Sequence, residues 1–367
     1  MKKYNLAFRF RIHPNEVQAN LILQTFGCTR FVYNKILAKA DEIYKLEGKN
    51  KIITPASLKS EFPFLKEVDS LALANAQMNV KTAFANFFRT KKGFPKFKSK
   101  KSARKSYSTN SVNNSIRIED NSIKLPKLGL VKIKLHRAIP QNYKIKSATI
   151  SQEPNGAFYV SILTEFTMDI KEVPSDNNIV GLDFSMKELF VSSDNQRADY
   201  PRFFRKLETK LAKAQRELSR KVKFSSNWNK AKLKVAKIHQ SIKNSRKDFL
   251  HKLSKELVTK YNAIIIEDLN MKGMSGALNF GKSVADNGWG IFTTMLQYKA
   301  MFLGKQVIKI DKWFPSSKTC SCCGNIKDSL SLGDRVYNCE CGHAMDRDLN
   351  ASATRFVMKS YDMLKVA

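Results

Sequence analysis

Residues 178–194 read NIVGLDFSMKELFVSSD. An apolar run, Ile179 to Leu182, ends on the acid Asp183, and after a short turn a second apolar run, Leu189 to Val191, begins. A strand this apolar is covered on both faces, as in the middle of a largely parallel sheet. NAIIIEDLN at 262–270 repeats the pattern and ends on Glu267. Ligands of α/β sheets bind beyond the carboxyl ends of such strands, so the two acids are expected at one edge of one sheet.

Working outward, 202–223 and 229–260 carry helical apolar stripes, Leu207, Leu211, Ala214 and Leu218 in the first and Ile238, Ile242, Phe249, Leu253 and Leu257 in the second. GWGIFTTMLQYKAMFLG (288–304) reads as a helix, QVIKID (306–311) as a strand, and DLNASATRFVMKSYDML (348–364) as a closing helix that opens on Asp348. Asp183, Glu267 and Asp348 can therefore converge. Unpaired and buried, they would cost several kcal/mol or take up protons. Two Mg²⁺ ions roughly 4 Å apart would relieve the repulsion and supply phosphodiester hydrolysis. Asp346 reads differently, as a cap for the closing helix or a brace for the segment before it.

That segment is cysteine-rich. SSKTCSCCGN (316–325) and NCECGHAMD (338–346) hold five of the six cysteines, with Cys28 standing apart. Two close thiolate pairs across such a gap suit one tetrahedral, structural Zn²⁺. Cys320, Cys323, Cys339 and Cys341 are the expected ligands; Cys322 or His343 could replace one of them. Clustering of this kind points to reduced thiols and an intracellular setting rather than a disulfide framework.

The amino-terminal half changes period twice. Residues 3–12 alternate as a strand; Pro14 and Asn15 open a helix, 26–48 read as a second, and LALANAQMNVKTAFANFF (71–88) as a third. From 115 to 166 the period is two, with a turn at Pro154, Asn155 and Gly156. This is a small β-rich domain, read as a barrel that the first strand joins, with 14–105 as a helical insertion.

Charge indicates the partner. The 367 residues carry 65 Lys and Arg against 32 acids, a formal charge of +33. Such an excess repels itself unless a polyanion neutralises it, so nucleic acid is expected, and no apolar run reaches the length of a membrane span. Between Ser70 and Ile118 eleven basic residues meet no acid. There Lys92, Lys96 and Lys98 interleave with Phe94 and Phe97, a pattern in which lysines neutralise phosphates and aromatics stack on bases. Residues 202–260 add nineteen Lys and Arg against four acids. Asn75 and Gln77 on the third helix are candidate readers of base edges, since amides pair bidentately with adenine.

The chain resembles the TnpB (OrfB) proteins of bacterial and archaeal insertion sequences. The resemblance rests on FGCTRFVYN (26–34), KKGFPKFKSK (91–100), GLDFSMKELFVSSD (181–194), IIIEDLNMKGM (264–274), the run 289–325 and CECGHAMDRDLNASA (339–353). It implies an α/β multidomain protein: a wedge-type β-barrel (1–13 and 106–175), a helical recognition insert (14–105), a RuvC-type, RNase H-like nuclease (176–315 and 346–367) and a zinc ribbon (316–345). It further implies that Asp183, Glu267 and Asp348 are catalytic, with the acid before "xNA" selecting Asp348 over Asp346. The implied activity is RNA-guided cleavage of double-stranded DNA beside a short flanking motif, in the prokaryotic cytoplasm. The guide would be encoded near the transposon end. A nuclease-dead guided repressor and a strand-transferring transposase are the alternative readings.

Overall fold

The computed structural model describes residues 2–49, 51–90, 93–101, 104–174, 178–271, 273–274, 286–311, 313–331 and 333–353. They divide into two units, Met1–Asp169 and Ile170–Ala367.

The first unit begins with β1 (Lys2–His13), whose alternate residues Phe8, Phe10 and Ile12 are buried. Helix α1 (Glu16–Glu47) follows, opened by a reciprocal cap: the Asn15 side chain accepts from the Gln18 amide, and the Gln18 side chain accepts from the Asn15 amide. The two helices expected over 14–48 are one. A glycine inside a helix costs about 1 kcal/mol, but the buried stripe of Ile22, Phe26, Val32 and Ile36 continues on both sides of Gly27 and outweighs it. Helix α2 (Pro55–Glu61), a 3₁₀ turn (Pro63–Lys66) and α3 (Ser70–Thr90) complete the helical part.

Strands β2 (Ser106–Asn110), β3 (Arg117–Glu119), β4 (Ser122–Leu125), β5 (Gly129–Lys134), β6 (Lys144–Gln152) and β7 (Phe158–Met168) join β1 in one antiparallel sheet ordered β2-β6-β7-β1-β5-β4-β3. The first strand thus pairs with strands more than a hundred residues away, as the alternating pattern suggests. Among the described residues no β2–β3 pairing closes this sheet into the expected barrel.

The second unit is built on β8 (Ile179–Ser185), β9 (Leu189–Ser192), β10 (Ala263–Glu267) and β11 (Gln306–Ile310), ordered β11-β10-β8-β9. β10 runs parallel to both β8 and β11, while β9 returns antiparallel beside β8. Helix α4 (Phe203–Ser219) packs on α5 (Ser226–Lys260) through Leu211, Ala214, Ile238 and Ile242. Leu250 and Leu257 of α5, with Phe292 and Leu296 of α6 (Trp289–Phe302), cover Val180, Leu182, Ile264 and Ile266 of the sheet. Strands β12 (Val336–Asn338) and β13 (Ala344–Asp346) form a small ribbon, and helix α7 (347–353) follows at once. Among the described residues no helix is long and apolar enough to cross a membrane.

One glycine is fixed by close approach. Gly304 turns the chain from α6 into β11 with φ +69°, and an added Cβ would lie 1.9 Å from the Lys171 carbonyl oxygen. Its own carbonyl accepts from the Val173 amide at 2.8 Å. Gly304→Ala is expected to destabilise the second unit by about 2 kcal/mol or more, through strained backbone plus overlap. Gly290→Ala, in α6 with open space at its Cβ, is expected to be neutral or to stabilise by a few tenths of a kcal/mol. Urea melts of the two variants check the contrast.

Candidate active site and metal centre

The register of the sheet places the first two acids. Parallel pairing of β8 and β10 aligns Val180 with Ile264 and Leu182 with Ile266. Carried on by one residue, it sets Asp183 level with Glu267 on strands about 4.8 Å apart, facing the same side. Both are partly exposed, after runs of fully buried neighbours. Isoleucines and valines hold the strands in place from both faces, and the acids emerge where that packing ends.

The third acid lies on α7. Asp346 caps this helix: its Oδ1 accepts from the amides of Asp348 and Leu349 at 3.0 and 3.1 Å. A cap of this type contributes about 1 kcal/mol. The capping role expected of Asp346 is visible in these contacts. Asp348 sits in the first turn, and its side chain is 32% exposed.

Asp346 also reaches back to the sheet. Its Oδ2 pairs with an Arg197 guanidinium nitrogen at 3.4 Å, and the other terminal nitrogen of Arg197 donates to Glu188 at 2.9 Å. Arg197 forms a β-bridge with Val191, which in turn pairs with Asp183.

The ribbon brings four sulfurs together. Cys320, Cys323, Cys339 and Cys341 place their Sγ atoms within 4.8 Å of one another, with Cys320–Cys341 at 3.8 Å and Cys323–Cys339 at 3.6 Å. Tetrahedral Zn²⁺ with bonds of about 2.3 Å needs sulfur separations of about 3.8 Å, so the donor set and its spacing suit zinc. Each half is a tight knuckle. The Gly324 amide donates to the Cys320 carbonyl at 3.0 Å, the Gly342 amide to the Cys339 carbonyl at 3.0 Å, and both glycines have positive φ. Burial disfavours the Cys320 thiolate, but the backbone around Cys323 and Cys322 and the neighbouring thiols outweigh it and bring the group down to about 7. Cys322 is exposed. His343 is engaged elsewhere, its Nε2 lying 3.2 Å from Ser321 Oγ. Among the described residues the cysteine quartet is the one group of potential ligands drawn this close; the three acids do not form a comparable cluster.

The knuckle is also bonded to α7. Asn350 is fully buried. Its Oδ1 accepts from the Ser321 amide at 2.9 Å, and its Nδ2 donates to the Thr319 carbonyl at 2.7 Å. Neither Arg197 nor Asn350 stands out among the candidate residues of the sequence. Asn350 lies in the quoted "LNA" segment but reads there as an ordinary helical position.

In the first unit the predicted nucleic-acid residues separate. Phe94 and Phe97 are 49% and 63% exposed, and Lys96 is exposed beside them. Phe94 stands edge-on to Phe84 and Phe87 at 5.6 and 5.7 Å, where these rings, with Phe88 and Tyr44, line a cavity of about 480 Å³. Lys98 is held more tightly. Asn34 bonds both its amide and its carbonyl, its ammonium lies 3.9 Å over the Tyr33 ring, and burial lowers its pKa. Asn75 donates to the Leu71 carbonyl at 2.9 Å while lining a cleft of about 220 Å³ with Arg30, Lys98, Arg104 and Lys105. The Gln77 amide donates to the Ile53 carbonyl at 2.9 Å. Lys92 lies outside the described residues.

Comparison with known proteins decides the family. The chain is 34% identical over 360 residues to a Streptomyces pristinaespiralis protein named "Putative RNA-guided DNA endonuclease", covering 96% of this chain and 89% of that one. The chain belongs to the TnpB (OrfB) family. An Escherichia coli K12 member, "Putative RNA-guided DNA endonuclease InsQ", is 31% identical over 366 residues, covering 91% and 87% of the two chains. Residues 161–278 match the OrfB_IS605 model, described as "Probable transposase", and 289–354 match a "Cas12f1-like, TNB domain". Residues 1–49 match a family segment described as a "Helix-turn-helix domain". In this chain those residues are a strand and one unbroken helix. The fold resembles that of the Cas12f1 chain in a cryo-EM Cas12f1–sgRNA–target DNA complex, with a TM-score of 0.61 at 15% identity over 93% of this chain and 82% of that one.

If the four sulfurs hold the metal, purified protein is expected to contain one zinc per chain. Cys320→Ser is expected to lose it and Cys322→Ser to keep it, as read by elemental analysis. Loss on Cys322→Ser would redraw the ligand set.

Proposed function

We propose that this chain is an RNA-guided DNA endonuclease with a single RuvC-like site formed by Asp183, Glu267 and Asp348. The observation that carries the reading is that Asp183 and Glu267 lie on adjacent parallel strands, each one residue beyond the last paired position between them. The whole-length likeness to proteins named as RNA-guided DNA endonucleases supports it. Retention of all three acids favours a cutting enzyme over a guided repressor.

The domain assignment accompanies this reading: wedge domain at 1–13 and 106–175, recognition insert at 14–105, nuclease at 176–315 and 346–367, and zinc ribbon at 316–345. Hard carboxylate oxygens on the three acids suit Mg²⁺. When bound, two Mg²⁺ ions would activate a water and stabilise the leaving oxygen of the phosphodiester. All three acids are partly exposed. Zinc in the cysteine quartet is structural, since four protein ligands leave no open position. Lysines and arginines of the insert and of α4 and α5 contact backbone phosphates of a guide RNA and its DNA heteroduplex. Pairing reads the sequence, and the protein reads shape and a short flanking motif. Exposed Phe94 and Phe97 with Lys96 are the stacking and phosphate contacts of the insert; Lys92, Lys98, Asn75 and Gln77 complete the set, the two amides having to exchange intramolecular partners to reach bases. The guide derives from the transposon end, and the protein acts on nucleoid DNA in the prokaryotic cytoplasm.

The test supplies guide RNA, matched duplex and Mg²⁺. Asp183→Ala is expected to lower cleavage by more than about a hundredfold, because even residues supporting a metal ligand cost roughly 10–100-fold. Guided binding, followed by mobility shift, should stay near the wild-type level. Equal cutting by variant and wild type would refute the site; strand joining in place of hydrolysis would favour a transposase.

A further inference from the structure

The start of α7 is held at two points by residues outside the three acids. On one side Asp346, the cap, is paired with Arg197. On the other, Asn350 spans the first metal knuckle through the Thr319 carbonyl and the Ser321 amide, the residues flanking Cys320. Asp348 lies between the two attachments, two residues from each.

The Arg197 attachment leads to the acid face of the sheet. Asp183 pairs with Val191 across the β8–β9 ladder, and Val191 bridges antiparallel to Arg197. Residues directly opposite in a ladder project from the same face. Arg197 therefore emerges on the side of the sheet that carries Asp183, two rows away, and spends its fork on Glu188 and Asp346. A lysine could not make both contacts in this planar, two-pronged way. The Asn350 attachment is of another kind. A fully buried amide satisfied on both ends by backbone of one knuckle is a rigid link, because losing either bond leaves a buried polar group without its partner.

We propose that Arg197 and Asn350 are positioning residues, clamping α7 between the β8–β9 hairpin and the cysteine ribbon so that Asp348 is presented to the metal site beside Asp183 and Glu267. The proposal rests on the nuclease reading above for the identity of that site. It gives the ribbon a direct part in building the active site, because the knuckle that binds zinc is the surface to which α7 is bonded. Acids held by a fixed scaffold bind metal without first being ordered, and that advantage is what the clamp contributes.

The experiment uses full-length, guide-loaded protein with zinc content measured in every sample. Mn²⁺ binding is followed by electron paramagnetic resonance without DNA, and cleavage is followed as a function of Mn²⁺. Asp348→Ala defines the signal that belongs to the acid site. Arg197→Gln and Asn350→Leu are expected to bind Mn²⁺ at that site about tenfold or more weakly, the range found when groups that orient metal ligands are removed. Their zinc content and guided DNA binding should match the wild type, and high Mn²⁺ should restore their cleavage but not that of Asp348→Ala. Wild-type Mn²⁺ affinity in both variants would overturn the proposal even if cleavage fell. Arg197→Gln lies outside the knuckle on a partly exposed side chain, so it decides the matter if Asn350→Leu loses zinc. A wild-type protein that binds Mn²⁺ in this clamp-dependent way yet cuts no guided DNA would refute the nuclease reading and leave the clamp standing.

Discussion

Parallel pairing of β8 with β10 sets Asp183 and Glu267 on neighbouring strands, and two carboxylates so placed repel unless a cation lies between them. The sheet pins that register. Val180, Leu182, Ile264 and Ile266 are buried under α5 and α6. The acid pair is thus fixed by the same packing that stabilises the unit. The proposed third carboxylate, Asp348, lies on α7. Its start is capped by Asp346 and bonded to the ribbon through Asn350.

The first unit meets a different constraint. The whole chain's net charge of +33 opposes compactness, and in this unit the antiparallel sheet and the α1–α3 core must offset its share of that repulsion until a polyanion is bound. Charge and aromatic surface are arranged accordingly. Arg30, Arg104 and Lys105 line the same cleft as Asn75, while Phe88, Phe94 and Phe97 stay exposed on the insert. Exposed rings beside lysines cost little when bases stack on them.

Much of the second unit can be read from local pattern. Apolar runs ending on acids mark β8 and β10, and thiolate spacing marks the quartet, because strand burial and metal geometry both leave short-range signatures. The Arg197–Asp346 pair leaves none: the residues are far apart in sequence and ordinary in their surroundings. Asn350 reads as one more helical position until its two backbone partners in the knuckle are seen. Helix α1 reads as two helices over 14–48 because the buried stripe that joins them, Ile22, Phe26, Val32 and Ile36, is set by packing rather than by a local signal. Gln77 shows the same limit, since its amide is engaged by the Ile53 carbonyl, on a segment whose place beside α3 no periodicity gives.

On the proposed function a bound RNA, not the protein surface, chooses where DNA is cut. The most direct measurement replaces the guide segment of the RNA carried by the protein and maps the cuts on a duplex holding both target sequences. The cut is expected to move to the new target and vanish from the old one. Cuts that stay in place whichever guide is loaded would contradict it.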